Sequence, residues 1–492
     1  MKLSDLANQI AATATAGELN VDAADVTHDS RECLAGWIFV AIRGDSSDGH
    51  SFIRQAVERG AVAVISERQE PERAAPAWIQ VRDARAALAT AAAVLHGWPA
   101  RSLKLVGVTG TNGKTTTAHL IDSIIRSAEG TSAIIGTIRH RVGQRVVEAQ
   151  HTTPEASTTQ RLLAEAVAAG CRSAVMEVSS HSIELHRADA LGFEAAVFTN
   201  LTRDHLDYHR TMENYFAAKR KLFDGTLGSA PKSSIINSDD EYGRRLAKMS
   251  TGNLTTYGLS ESADVRTRSF DLAASGLRFV AETPAGKVEI ESRLVGRPHV
   301  YNILAAVGAG LALGFEPGGI QEGIAKCTAV PGRFERVVLN GAGDPGFAVV
   351  VDYAHTDDAL KNVLQTAREL VREPGRLITV FGCGGNRDRT KRAPMGETAA
   401  RLSDIIFVTS DNPRGENPVA IINDIEIGLM RTGRPYLKLP DRRQAIFRAM
   451  KEARPGDIVV IAGKGHETYQ VIGDQKQHFD DREVAREALS SL

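Results

Sequence analysis

One stretch restricts this chain more than any other: GVTGTNGKTTTAHLIDSII, residues 107–125. An apolar run with strand character breaks into glycines and resumes with helical spacing. The first turn of such a helix leaves backbone N–H groups unpaired, and its dipole favours a phosphate anion. Lys114 would reach the terminal phosphates of a nucleotide and the Thr115 hydroxyl would face a magnesium ion. Val108 stands where the strict phosphate-loop pattern has its first glycine, so the fit is to GTNGKTT, with Gly110 opening the turn. Strand, glycine loop, GKT and helix together predict a nucleoside triphosphate site. They leave open what becomes of the phosphate, because kinases, switches, motors and ligases share the device.

At 492 residues the chain exceeds one ordinary core and suggests about three domains of roughly 150 residues. Its 59 basic and 60 acidic residues nearly cancel, which gives no basic field for tracking nucleic acid. The first residues lack a signal-peptide core, and no apolar run is long enough to span a bilayer. Cys33, Cys171, Cys327 and Cys383 are scattered with no CxxC pair, as in a reduced, cytoplasmic protein.

Residues 1–98 alternate short strands with helical runs, and GWPARS that follows reads as a linker. In residues 99–330, strands KLVGVTG, SAVMEVSS, AAVFTNL and SSIINSDD alternate with helices, which predicts a parallel sheet covered on both faces. FDLAASGLRFVAETPAGKVEIESRL alternates with turn signals and predicts an added antiparallel ribbon. Residues 331–492 form a second α/β unit whose four apolar strands each end in a polar or glycine-rich loop. The fold class is therefore α/β in three domains, with sites expected beyond the carboxyl ends of the strands.

Three further groups carry chemistry. Glu177, at the end of a strand in MEVSSHSIELHR, suits a hard cation. His205 follows another strand within a cluster of Asp204, Asp207 and His209. Lys219 sits beside Arg220 and Lys221 on a helix, and by its neighbours alone reads as part of a solvated basic face. The loop Asp411-Asn412-Pro413-Arg414 leaves an apolar strand. Pro413 stiffens it, and a fixed guanidinium can grip a carboxylate with two parallel hydrogen bonds. A solvated turn is the competing reading, and the loop alone leaves both open.

GTNGKTT, MEVSSH, TNLTRDHLDYH, YFAAK, GRPHVYNILAA, PGRFE, VDYAH, FGCGGNRD, DNPR and AGKGHE occur in an order that resembles the Mur ligases over nearly the whole chain. The resemblance implies an N-terminal UDP-binding domain, a central ATPase domain and a C-terminal Rossmann-like domain. It implies an ATP-dependent amide ligase of peptidoglycan synthesis. That ligase adds meso-diaminopimelate to the D-Glu side-chain carboxylate of UDP-MurNAc-L-Ala-D-Glu through an acyl phosphate.

For ATP the resemblance implies Gly110, Thr111, Asn112, Gly113, Lys114, Thr115 and Thr116, with Asn302 near the base, Asp352 at the ribose and Arg333. Glu177, His205 and Thr115 are implied as Mg²⁺ ligands. Lys219 matches the lysine that becomes an N-carbamate, which reverses its reading as a surface cation. The UDP-muramoyl dipeptide is implied at His28, Ser30, Asp45, Ser46, Ser47, Thr152, Thr153, Ser179 and Arg187. His151 and Leu185 belong to the same set but depart from the usual asparagine and glutamine. Diaminopimelate is implied at Arg387, Asp411, Asn412, Pro413, Arg414, Gly463 and Glu467, with Arg414 selecting against L-lysine. A lysine-adding ligase, a D-Ala-D-Ala or folylpolyglutamate ligase, a phosphate-loop switch and a non-catalytic UDP-sugar binder are the rival readings. The expected partners are the small-molecule substrates alone, with the protein a monomer.

Overall fold

The computed structural model describes residues 1–44, 47–69, 75–273, 275–338 and 346–492; Asp45 and Ser46 lie outside the described residues. Among the described residues, three large sheets and one two-stranded hairpin, Tyr469–Ile472 with Gln475–His478, organise the chain. The first orders its strands Ala14–Gly17, Ala77–Gln80, Ala63–Ser66, Trp37–Ala41, Asp25–Thr27, all parallel except the first pair. Helix Ala84–Leu95 lies on it, capped by Asp83, whose carboxylate accepts from Ala86 N at 2.9 Å. The small side chains Ala84, Ala87 and Ala91 let this helix pack against Leu6, Val26 and Ile38. GWPARS is not a free linker: Pro99–Ser102 forms a 3₁₀ turn, and Ala100 is buried with the core of the next domain.

In the second sheet the phosphate-loop strand Lys104–Thr109 lies between Ser173–Glu177 and Ala195–Phe198, parallel to both. Three strand ends that carry polar residues therefore emerge side by side. Helix Lys114–Glu129 buries Leu120, Ile121, Ile124 and Ile125 beneath helices Arg297–Ala312 and Pro317–Lys326. The expected antiparallel ribbon is present as Phe270–Ala273, Gly276–Thr283 and Gly286–Ser292, joined to the far side of the same sheet.

The third sheet runs Glu335–Arg336, Ala348–Asp352, Ile458–Ala462, Leu377–Phe381, Ile405–Val408, Leu437–Lys438, parallel after its antiparallel first edge. Helices Asp357–Leu370, Arg392–Leu402 and Pro418–Met430 cover one face, and Arg442–Glu452 with Asp481–Ser490 the other. Runs such as IVVIA and LITVF are buried throughout because helices close both faces of a parallel sheet. Among the described residues no helix is long and apolar enough to cross a membrane.

Candidate active site

A cleft of about 980 Å³ separates the phosphate loop from the third sheet and is lined from both sides. Gly113 opens helix Lys114–Glu129 with φ +87°, and a Cβ there would stand 2.5 Å from Asn302 Oδ1, so only glycine admits this turn. Lys114 Nζ donates to the carbonyls of Gly110 and Thr111, both at 2.9 Å. Thr115 Oγ1 donates to Glu177 Oε2 at 2.9 Å and accepts from Arg333 Nη2 at 3.1 Å across the cleft. Thr116 is buried beside them.

Glu177 is fully buried, and Thr137 completes its cradle with a backbone N–H at 2.8 Å to Oε1 and a hydroxyl at 3.0 Å to Oε2. Thr137 was not anticipated. The signal was an apolar run ending in Gly136-Thr137 after strand Ala133–Ile135, beside the Glu177 strand. A threonine hydroxyl beside a buried carboxylate at a phosphate loop fits Mg²⁺, which takes one or two carboxylates and leaves its other positions to phosphate and water. Among the described residues no three His, Cys, Asp or Glu side chains gather as a metal cage.

The cluster after strand Ala195–Phe198 divides. Asp204 and His205 line the cleft, with His205 Nε2 3.3 Å from Asp204 Oδ2. Desolvation holds the His205 imidazole neutral, its pKa pushed down to about 3 against the pull of Asp204, with Lys114 and Lys219 adding to the effect. Asp207 and His209 do not line the cleft. Helix Leu206–His209 turns His209 inward, where Nε2 meets Ser180 Oγ at 2.9 Å and the ring stacks on Tyr215.

Lys219 is not on a solvated face. It is 1% exposed, donates to Gly110 O at 2.9 Å and lies 4.7 Å from the centre of the Tyr215 ring. Burial, then the neighbouring Lys114 ammonium, push its pKa well down. Its basic neighbours Arg220 and Lys221, both half-buried, masked this in the sequence.

Asn112 lines the cleft and also reaches across it. Its amide donates to Asp358 Oδ2 at 3.0 Å, and Thr202 donates to the same oxygen at 2.9 Å. Arg203 pairs with Asp357 at 3.0 Å, so the first turn of helix Asp357–Leu370 is clasped onto the phosphate loop. Asn302 accepts from Thr117 at 3.3 Å. Asp352 accepts from Phe334 N at 2.6 Å and Ala354 N at 2.8 Å, while Arg333 lies 4.6 Å over the Tyr353 ring.

The positions expected for the UDP-linked substrate lead toward Glu177. Thr152 Oγ1 lies 3.1 Å from Thr137 Oγ1, and Thr153 Oγ1 donates to the Glu177 carbonyl at 2.8 Å. Arg187 pairs with Glu155 at 2.5 Å and reaches Thr153 O, and among the described residues its buried Nε has no partner. Ser179 caps helix Ser180–Glu184, and Leu185 ends it. Burial lowers the pKa of His151. In the first domain Ser30 donates to Gln55 at 2.6 Å, His28 has a buried Nδ1 with no partner among the described residues, and Ser47 O accepts from Gly44 N.

At the third sheet, Asp411, Asn412 and Pro413 are buried while Arg414 is half-exposed. Arg414 has φ +51° and is held by Val471 O and Gly473 N of hairpin Tyr469–Ile472/Gln475–His478. Its Nη1 donates to Gly385 O at 3.0 Å, and among the described residues no protein group meets Nη2. Gly463, at φ +121°, passes so close to Asp411 that a Cβ would stand 2.7 Å from Oδ2. Asn412 Nδ2 donates to Glu467 Oε2 at 2.8 Å. Arg387 is exposed at the rim.

Glu416 ties this loop to the one bearing Arg387. It accepts from Asn386 N at 2.5 Å, from both Arg392 amino groups at 3.0 Å and from Arg389 at 3.0 Å. Arg392 is 1% exposed, and its hydrogen bonds hold the Glu416 pKa down at about 2. A depressed carboxyl pKa stabilises the fold above the unfolded value of about 4.5, and this contribution is lost as pH falls toward 2. Glu416→Gln should therefore cost about 3 kcal/mol near pH 7, since a buried pair is broken. Denaturant titrations from pH 7 to 3 should show the gap to the parent closing below pH 4.5; a gap independent of pH refutes the assignment.

A phosphate loop, a buried carboxylate at its threonine and a second α/β sheet closing over them define a nucleotide-dependent enzyme with room for a further substrate. The sequence matches the Mur ligase family catalytic domain over residues 23–96, the Mur ligase middle domain over 108–310 and the Mur ligase glutamate ligase domain over 332–465. A relative from Solibacter usitatus is 51% identical over 94% of this chain and 93% of its own length. One from Geobacter metallireducens is 45% identical over 100% and 99%. Both are named UDP-N-acetylmuramoyl-L-alanyl-D-glutamate--2,6-diaminopimelate ligase. A solved structure of a ligase with that name superposes with a TM-score of 0.69 at 32% identity, covering 100% of this chain and 99% of the other. The chain belongs to the Mur ligase family.

Proposed function

We propose that this chain is the ATP-dependent ligase that adds meso-diaminopimelate to the D-Glu side-chain carboxylate of UDP-MurNAc-L-Ala-D-Glu in peptidoglycan synthesis. The observation that carries the choice of amino acid is Arg414, whose guanidinium is fixed by Gly385 O on one side and open on the other. Diaminopimelate carries a distal carboxylate that such a fork can grip, and L-lysine does not.

Joining an amine to a carboxylate requires a leaving group on the carboxylate. The γ-phosphoryl of ATP passes to the D-Glu oxygen, giving an acyl phosphate and ADP. The amine then attacks the carbonyl carbon, and phosphate and a proton depart as the amide forms. The protein's part is positioning and charge neutralisation. Lys114 and Arg333 meet the transferring phosphoryl, and Asn302 and Asp352 hold the nucleoside. Thr152, Thr153 and Arg187 bring the dipeptide end toward Glu177, to which they are linked by hydrogen bonds. Thr115, Glu177, His205 and Lys219 as its carbamate would hold Mg²⁺, which supplies positive charge against the phosphate oxygens. The clasp of Asp357 and Asp358 on the phosphate loop brings the amine site to the acyl phosphate and excludes water. ATP and a UDP-linked substrate place the work in the cytoplasm.

A ligation assay offering diaminopimelate and L-lysine separately, with ATP and the UDP-muramoyl dipeptide, tests the reading. Phosphate release and tripeptide product are expected with diaminopimelate, and lysine should fall behind by roughly 10⁴-fold. Comparable use of lysine would overturn the choice of amino acid. ATP hydrolysis unaffected by the UDP substrate would favour a nucleotide switch.

A further inference from the structure

A lysine that no expected role absorbs lies beneath the amino-acid loops. Lys464 is 0% exposed, yet it stands between Gly463 and Gly465 in the loop after strand Ile458–Ala462. All three of its ammonium protons have acceptors: Asn412 Oδ1 at 3.3 Å, Glu467 Oε2 at 3.4 Å and the Tyr469 carbonyl. A cation with every proton used inside the protein cannot itself grip a substrate.

Its partners are differently placed. Asn412 Oδ1 also accepts from Val471 N at 2.9 Å, so the amide orientation is fixed and Nδ2 must donate to Glu467 Oε2. Glu467 thus receives two donors on one oxygen, and among the described residues no protein donor meets Oε1. We propose that Lys464 is a positioning residue for the amine substrate: it keeps Glu467 ionised and oriented so that Oε1 is free for the incoming ammonium group. The inference rests on the reading of these loops as the amino-acid site.

The electrostatics agree. Burial and then the Asp411 carboxylate raise the Glu467 pKa, while Lys464 and the Asn412 amide oppose them. Arg442, paired with Asp481, and the phenols of Tyr353 and Tyr469 are the other titratable groups facing this pair. Without Lys464 a cation that opposes burial and Asp411 is gone, which shifts Glu467 further toward its protonated form.

Lys464→Met should raise KM for diaminopimelate about ten- to a hundredfold at pH 7, with KM for ATP and the UDP substrate within about twofold of the parent. The defect should shrink as pH rises from 7 to 9, because higher pH favours the charged carboxylate. Lys464→Gln, which keeps a donor and loses the charge, should show the same pH dependence and serves if the methionine variant does not fold. Glu467→Gln alone should raise the same KM, and adding Lys464→Met to it should change KM by less than about threefold. Equal rises in all three KM values, a defect independent of pH, or additive effects in the double variant would each overturn the proposal. A parent enzyme that prefers lysine overturns the substrate reading instead, and the same cycle run on lysine then judges Lys464.

Discussion

Lys219→Ala is expected to lose ligation by about 10³-fold or more, although the side chain touches no solvent and Lys114 is intact. Nζ of Lys219 and Nζ of Lys114 both lie 2.9 Å from Gly110 O. Two ammonium groups on one carbonyl repel, and burial already disfavours charge at Lys219. The arrangement makes sense if Lys219 is a neutral amine there. A neutral amine adds carbon dioxide, releasing a proton and leaving an N–H that still donates to Gly110 O. The new carboxylate would then balance Lys114 and face the metal position beside Glu177. Acetate or formate should restore part of the activity of Lys219→Ala, and Lys219→Arg should remain inactive because a guanidinium forms no carbamate. Purified Lys219→Ala working at the parent rate would end the idea; intact binding of the UDP substrate separates loss of chemistry from loss of fold.

Arg414→Ala should raise KM for diaminopimelate by about thirty- to several-thousand-fold, the range for truncating one partner of a desolvated charge pair. The magnitude follows from how firmly the guanidinium is held. Its backbone is pinned to Val471 and Gly473 and its Nη1 to Gly385 O, so little freedom is lost on binding. Arg414→Lys should recover only part of the loss, because an ammonium cannot reproduce two parallel hydrogen bonds. Neither variant should become a good lysine ligase, since removing the fork builds nothing for a free ammonium. Formation of acyl phosphate should persist, as its residues surround the phosphate loop. Unchanged KM for diaminopimelate in Arg414→Ala would return the loop to an ordinary turn.

Much of this architecture was legible in one dimension because its signals are local. GTNGKTT specifies a loop and helix start through glycine conformations and unpaired N–H groups within seven residues. The four apolar runs of the last segment, and the ribbon of residues 270–292, are set by periodicity, which needs no distant partner. The segment GWPARS misled because its composition suits a linker, while a neighbouring core happened to have room for Ala100.

The sequence by itself determined the nucleotide loop, the α/β layers and the presence of an arginine loop at a strand's end. Only the tertiary structure decided which polar groups share a site. Lys219 was hidden by the cations beside it in sequence, and its burial depends on Tyr215 and on a loop more than a hundred residues away. Asn112 meets Asp358 of the third domain, a contact between residues 246 positions apart. Lys464 looked like one more polar residue in a glycine-rich turn until Asn412, Glu467 and Tyr469 closed around it. Burial and charge pairing arise from three-dimensional neighbours, and local sequence carries no record of them.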